Sequence, residues 1–297
     1  LTFVHKPQEP TLEELVEVAR AFSALGVGKM RLTGGEPLIR INVLTLVQRM
    51  AQLPGLRQLA LTTNGSQLQR LATDLHRGGI RRINISLDSL RSRRFRQLTR
   101  HGNLDQVLAG IDAAIAAGFD GIKINAVILR GRNEDEVLDL VDYAYQRGID
   151  IAFIEEMPLG HIVEHDRALS FCSSEELRDI IAQRYSLQAL GDPGSGDGPA
   201  RYYKVPGSRT RVGFISPHSN NFCHLCNRVR VTAEGRLLLC LGNEHSVDLR
   251  AVLRAPNYTL QSLKTAIVQA MAIKPERHYF DNSGEPEIVR FMNMTGG

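Results

Sequence analysis

Lys29-Met30-Arg31-Leu32-Thr33-Gly34-Gly35-Glu36-Pro37 reads as a β-strand over 29–33 running into a Gly-Gly turn. Two adjacent glycines let backbone N–H groups come close to a ligand. Upstream, Thr11 and Glu14 form a capping box that opens a helix to about Leu25, and Gly26 stops it. Downstream the pattern repeats: helix 41–53, strand 56–62, helix 66–77, strand 82–87, a helix capped by Asn103 through Ala117, strand 121–128, a helix capped by Asn133 through Arg147, and strand 149–155. Alternating βα units imply a parallel sheet with helices outside. The strand runs look near-continuously apolar, as expected when both sheet faces are buried. No Gly-x-Gly-x-x-Gly follows the first strand, so the spacing favours a barrel or partial barrel over a flat doubly wound sheet.

The rhythm breaks after Pro158, dividing the chain into 1–158 and 159–297. The second part holds a polar stretch at 161–170, a capping box at Ser173 and Glu176 leading a helix to about Gln183, and a Gly/Asp/Pro-rich loop at 191–199. Strand-like pieces then surround a cysteine cluster, a helix covers 260–271, and an irregular tail ends in Gly296-Gly297. With 43% hydrophobic and 23% charged residues, the composition is that of a globular protein. A net charge of +4 suits an anionic small ligand or a nucleic acid. The basic run Arg91-Ser92-Arg93-Arg94-Phe95-Arg96 reads as the solvated face of a helix. No apolar run is long enough to span a membrane, and residues 1–6 do not read as a signal peptide. Four cysteines, three of them within 18 positions, point to a metal or redox site in a reducing compartment, the cytoplasm.

Cys223-x2-Cys226 puts two thiols on one turn, and Cys240 follows after 13 intervening residues at the far end of a hairpin built from 229–232 and 236–239. Three convergent thiolates suit a [4Fe–4S] cluster with one open iron. They equally suit zinc with His218, His224 or His245 as fourth ligand. Polar residues collect at the C-terminal ends of successive strands: Arg31, Thr62-Thr63-Asn64-Gly65, Ser86-Leu87-Asp88, Lys123-Ile124-Asn125 and Glu155-Glu156-Met157. Ligands bind at that end in both barrels and open parallel sheets. Arg228 and Arg230, two apart on a strand, present both guanidinium groups to one side, as an anion site requires.

Together the Gly-Gly-Glu-Pro turn, the Thr-Thr-Asn-Gly and Ser-Leu-Asp strand ends, the Cys-x2-Cys-x-Arg-x-Arg run, the third cysteine and the Gly-Gly terminus resemble the GTP 3′,8-cyclase family of radical S-adenosylmethionine enzymes. The resemblance covers essentially the whole chain. It implies an incomplete (βα)6 TIM-like barrel that binds S-adenosylmethionine at one [4Fe–4S] cluster, and a C-terminal extension whose second [4Fe–4S] cluster binds GTP. Carried over by position, Gly35, Ser86 and Met157 contact S-adenosylmethionine, and Glu36 belongs to the turn that holds its amino group. Arg31, Thr62, Lys123, Arg228 and Arg230 contact GTP, Cys223, Cys226 and Cys240 hold the second cluster, and Gly296 and Gly297 reach the active site and assist. The implied reaction is the first step of molybdenum cofactor biosynthesis. A 5′-deoxyadenosyl radical takes hydrogen from C3′ of GTP, and the sugar radical attacks C8 to give (8S)-3′,8-cyclo-7,8-dihydroguanosine 5′-triphosphate. The partners implied are GTP and, downstream, cyclic pyranopterin monophosphate synthase, with no membrane and no nucleic acid. The electron donor is not legible, and a homodimer stays open.

The family also carries Cys-x3-Cys-x2-Cys before the first helix, and these 297 residues do not. Leu1 falls at about the point just after that motif, and Cys172 cannot replace it. The expectation is that this stretch alone is inactive and the full-length protein active. Two other readings compete: a different radical S-adenosylmethionine enzyme with an auxiliary cluster, and a zinc-bound nucleic-acid-binding module using Arg228, Arg230 and the 91–96 run. Iron quantification and the colour of reconstituted full-length protein test the two-cluster assignment and the zinc reading. About eight irons per chain are expected, about four would contradict the two-cluster assignment, and a colourless zinc protein would contradict both radical readings.

Overall fold

The computed structural model describes residues 9–157, 166–191, 198–219, 223, 226–243 and 245–277. The first helix, α1 (Leu12–Ala24), starts where the sequence says: Thr11 Oγ1 accepts from Glu14 N at 3.2 Å, and the Glu14 carboxylate accepts from Thr11 N at 2.7 Å. Then follow β1 (Lys29–Leu32), α2 (Val43–Ala51), β2 (Gln58–Thr63), α3 (Leu68–Gly78), β3 (Ile80–Ser86), α4 (Ser92–Thr99), α5 (Leu104–Ala117), β4 (Gly121–Val127), α6 (Val137–Arg147) and β5 (Asp150–Ile154). Beyond the break come α7 (Arg167–Ser170), α8 (Ser174–Ala182), β6 (Gln188–Ala189), β7 (Arg201–Lys204), β8 (Arg211–Ile215), β9 (Arg230–Val231), β10 (Arg236–Leu238), β11 (Ser246–Asp248), α9 (Leu249–Leu253) and α10 (Leu260–Met271).

The main sheet runs β1-β2-β3-β4-β5-β8-β7-β6. Its first six members are parallel, and β7 and β6 finish it antiparallel. The architecture is the expected partial barrel of six parallel strands. The sixth strand, β8, lies beyond Pro158, so one sheet crosses the position where the sequence rhythm breaks. The strand escapes a sequence reading because Arg211-Val212-Gly213-Phe214-Ile215 has a glycine at its centre and no helical pattern directly before it.

Burial on both faces holds for β2, which is buried from Leu59 to Thr63. It fails for β3 and β4, where burial alternates. Ile83, Ile85, Ile122, Ile124, Phe153 and Phe214 form an outer row packed into the core with Leu46, Leu71, Leu75, Ile111 and Val141 of the helices. The other row, with Arg31, Arg82, Asn84, Ser86, Lys123 and Asn125, is not part of that core and is exposed or half-buried. Helices cover only one side, so a polar row costs little on the other.

A second, antiparallel sheet (β9-β10-β11) packs with α9 and α10. Its core, with Leu237, Leu239, Leu249, Leu263 and Ile267, also takes Val18, Ala21 and Phe22 of α1. Val16 and Ala19 of the same helix join the main core, so α1 is shared by both. Two local readings need correction. Asn133 does not cap a helix. It is buried, its Oδ1 accepts from Leu129 N at 2.8 Å, and its Nδ2 donates to Asp88 O at 2.8 Å and Val127 O at 2.9 Å. The 91–96 run is only partly a solvated face. Arg91 and Arg94 reach Asp135 at 2.7 and 2.5 Å, and Arg94 reaches the buried Glu136 at 2.6 Å.

Gly110 on α5 abuts the turn before α3, where a Cβ would lie 2.5 Å from Gly65 O and 3.1 Å from Leu68 Cβ. Gly110→Ala is therefore expected to cost about 1–3 kcal/mol, read as a lower urea midpoint, and an unchanged midpoint would contradict this packing.

Candidate active site

Across the open face, partnered residues form tiers. One tier is Arg31, Ala60, Arg82 and Gly121, and the next is Thr62, Asn84, Lys123 and Asp150. The third is Ser86, Asn125, Ala152, Gly213 and Tyr202. Arg31 donates to Leu61 O at 3.1 Å and to Thr62 Oγ1 at 3.2 Å, so two of the residues expected to contact GTP touch each other. Lys123 Nζ donates to Tyr202 Oη at 3.2 Å. Arg211 stacks 4.8 Å from the Tyr202 ring centroid, and its Nε and Nη2 donate to Asp150 Oδ2 at 3.1 and 2.5 Å.

Water reaches Arg31, yet protein crowds its guanidinium. Burial lowers the Arg31 guanidinium. Burial, and after it the Arg31 charge, push the Lys123 ammonium down to about 7, with Arg82 and Arg211 adding and Asp150 opposing. Three guanidinium groups and an amine face one carboxylate that Arg211 already engages. The wall suits a polyanion.

The strand ends are tightly braced. The Glu36 carboxylate accepts from Leu38 N at 3.0 Å, Thr63 Oγ1 at 2.8 Å and Asn64 N at 2.7 Å. It staples the Gly34-Gly35 turn to the end of β2. Ser86 ends β3 exposed on the open face, beside Asn125, whose Oδ1 is buried without a hydrogen-bond partner. An orphaned buried acceptor in a polar wall is a place for a donor on a ligand. Burial pushes the Asp88 carboxyl up to about 6, against a hydrogen bond from Val127 N. Half-buried Met157 follows β5 two residues after the fully buried Glu155. That carboxylate accepts from Ser174 N and Oγ at 3.0 and 3.1 Å, Ser219 N and Oγ at 3.1 and 2.5 Å, and His218 N at 3.1 Å. It binds the end of β5 to the start of α8 and to the segment leading to Cys223.

Cys223, Cys226 and Cys240 are all partly buried. Cys226 N donates to Cys223 O at 2.9 Å and closes the turn. Burial works to raise the Cys226 thiol, but the Arg228 N–H, the Arg228 charge and Lys274 outweigh it and leave it below its ordinary value. Burial raises the Cys240 thiol, and the neighbouring Cys223 and Cys226 add to that. Arg228 Nη2 lies 3.9 Å from Cys226 Sγ. Burial and Arg228 bring the Arg230 guanidinium down to about 10, with Cys226 and Cys240 opposing. Thus the three thiols and both arginines share one electrostatic neighbourhood. Lys274 Nζ holds it from behind, donating to Leu239 O at 2.5 Å and Arg228 O at 3.2 Å. Among the described residues no three His, Cys, Asp or Glu side chains gather as tightly as a single metal ion needs. Of the histidines considered as a fourth ligand, His218 has its Nε2 2.9 Å from Glu156 O and its ring edge-on to Phe171. His224, Gly296 and Gly297 lie outside the described residues.

Comparison with known proteins places both parts. Residues 2–144 match the Radical SAM superfamily, and residues 149–280 match Molybdenum Cofactor Synthesis C. The chain is 58% identical over 298 aligned residues to the GTP 3′,8-cyclase of Marinobacter nauticus, covering 100% of this chain and 89% of that protein. It belongs to the GTP 3′,8-cyclase family. The enzyme of Pseudomonas entomophila is likewise 58% identical with the same coverage. Among solved structures, Streptococcus suis SuiB bound to S-adenosylmethionine aligns with a TM-score of 0.60 at 16% identity, over 99% of this chain and 71% of that one, a likeness of fold. As a family member the chain is a radical S-adenosylmethionine enzyme, a class that works with a [4Fe–4S] cluster. No helix among the described residues is long and apolar enough to cross a membrane.

Sequence reasoning missed Arg82, Tyr202 and Arg211, and it named Glu155 only as one of the polar residues at the strand ends. Arg82 was findable from in–out alternation along β3. Glu155→Ala would strand the donors that now share one carboxylate, so we expect a loss of about 3 kcal/mol or more in urea unfolding. A loss below about 1 kcal/mol would contradict its bracing role.

Proposed function

We propose that the protein converts GTP to (8S)-3′,8-cyclo-7,8-dihydroguanosine 5′-triphosphate, the first step of molybdenum cofactor biosynthesis. The observation that carries this reading is the pairing of a cationic inner wall with a separate element on which Arg228 and Arg230 share one electrostatic neighbourhood with Cys223, Cys226 and Cys240. Arg31, Thr62 and Lys123 bind GTP from the wall, and Arg228 and Arg230 bind it from the cysteine side. Charge-assisted donors of this kind hold and orient phosphates. Gly35, Ser86 and Met157 take S-adenosylmethionine at the strand ends, where the orphaned Asn125 Oδ1 offers an acceptor to a hydroxyl.

Cys223, Cys226 and Cys240 hold a [4Fe–4S] cluster. The donor set fits in its chemistry: Arg228 and Lys274 lower the Cys226 thiol, while burial raises that of Cys240. When bound, such a cluster with three protein ligands supplies an open iron to a base nitrogen. The donor set for the radical-generating cluster is not found in these 297 residues, since the one further cysteine, Cys172, is buried beside α8 with its thiol raised by burial. Gly296 and Gly297 assist from the tail. The product passes to cyclic pyranopterin monophosphate synthase, in the cytoplasm.

The Lys123 value gives a signed test. An ammonium lowered to about 7 is charged, and attracts phosphate, below that pH, so GTP affinity should fall as pH rises from 6 to 9. Fold stability moves the other way, because between about 7 and about 10 the unfolded chain binds the proton and the fold does not. Equilibrium titration of the holoenzyme with GTP should show this fall, and Lys123→Met should flatten it. A pH-independent affinity in the parent would contradict the assignment of Lys123.

A further inference from the structure

Lys123 does not pair with the nearest carboxylate. Asp150 is its register partner on β5, yet that carboxylate is engaged by the Arg211 side chain and also accepts from Arg211 N at 3.0 Å. Lys123 Nζ donates instead to the Tyr202 hydroxyl at 3.2 Å. Tyr202 belongs to the antiparallel strand β7, three strands away from β4 in the sheet. To reach Lys123 its ring lies back across the sheet, and Gly213 on β8 makes room. A Cβ at Gly213 would sit 2.8 Å from Tyr202 Cε1, 3.0 Å from Cδ1 and 3.4 Å from Ala152 Cβ. Gly213 could not carry a side chain without lifting the ring. Arg211 stacks on the ring at 4.8 Å, so one guanidinium both steadies the phenol and occupies Asp150.

We propose that Tyr202, seated on Gly213 and stacked by Arg211, is a positioning residue that holds the Lys123 ammonium out on the inner wall for the phosphates of GTP. The inference rests on the reading of Lys123 as a GTP contact. The chemistry is specific. A carboxylate partner would neutralise Lys123, whereas a neutral phenol fixes its place and leaves its charge to the ligand. The charged groups facing Lys123 are Arg31 on β1, Arg82 on β3, Asp150 on β5 and Arg211 on β8. Tyr202 therefore orients a cation that its like-charged neighbours would otherwise displace.

The test is GTP affinity of the reconstituted full-length enzyme by equilibrium titration. Tyr202→Phe keeps the ring and removes the hydroxyl, and should weaken GTP about tenfold, the worth of one hydrogen bond to a charged group. Gly213→Ala, which displaces the ring but keeps the hydroxyl, should weaken it similarly. Once Lys123 is replaced by Ala, Tyr202→Phe should add nothing, a non-additivity that a merely structural role would not produce. Tyr202→Phe binding GTP as the parent does, while Lys123→Ala binds it weakly, would overturn the inference. Full additivity of the two changes would also overturn it. Lys123→Ala binding GTP as the parent does would instead overturn the underlying reading of Lys123. If Gly213→Ala fails to fold, Tyr202→Phe and the double variant still decide the matter.

Discussion

Everything in this site depends on one asymmetry of the main sheet: helices pack on only one of its faces. Ile83, Ile85, Ile122, Ile124 and Phe153 must then point to the helices, and the period of two along a strand sends their neighbours the other way. Arg82, Asn84, Ser86, Lys123 and Asn125 are those neighbours. A register slip of one residue would bury the charges and expose the core, so the apolar packing that stabilises the fold also aims the functional row. Small residues complete the wall. Ala60 lies between Arg31 and Arg82, and Gly213 lies beneath Tyr202, so long side chains spread across the sheet over them.

The second part of the chain is joined to that wall by packing and by a buried carboxylate. α1 gives Val16 and Ala19 to one core and Val18, Ala21 and Phe22 to the other. Glu155 collects five hydrogen bonds from α8 and the 218–219 segment, with Met157 two residues along its own strand end and Cys223 four residues beyond Ser219. Polar satisfaction of one carboxylate thereby links the proposed S-adenosylmethionine face to the thiol element.

Much of this was legible in the sequence because it is written locally. The capping boxes at Thr11 and Ser173, the Asn103 cap and helix 260–271 fall where the residues place them. The hairpin behind the cysteines does too. What stayed hidden is non-local. The sixth parallel strand joins from beyond a loop-rich stretch, and nothing near Tyr202 signals that its ring crosses two strands to Lys123. Asn133 looks like a cap in sequence, yet its amide is spent on three backbone groups in the loops around β3 and β4.

The central claim is that one GTP bridges the cationic wall and a cluster on Cys223, Cys226 and Cys240. A diffraction experiment at the iron absorption edge, on the anaerobic full-length enzyme with GTP bound, tests it most directly. The account expects iron at the three cysteines, the base directed to it, and the triphosphate against Arg31 and Lys123. Zinc at those cysteines, or GTP seated away from the inner wall, would contradict it.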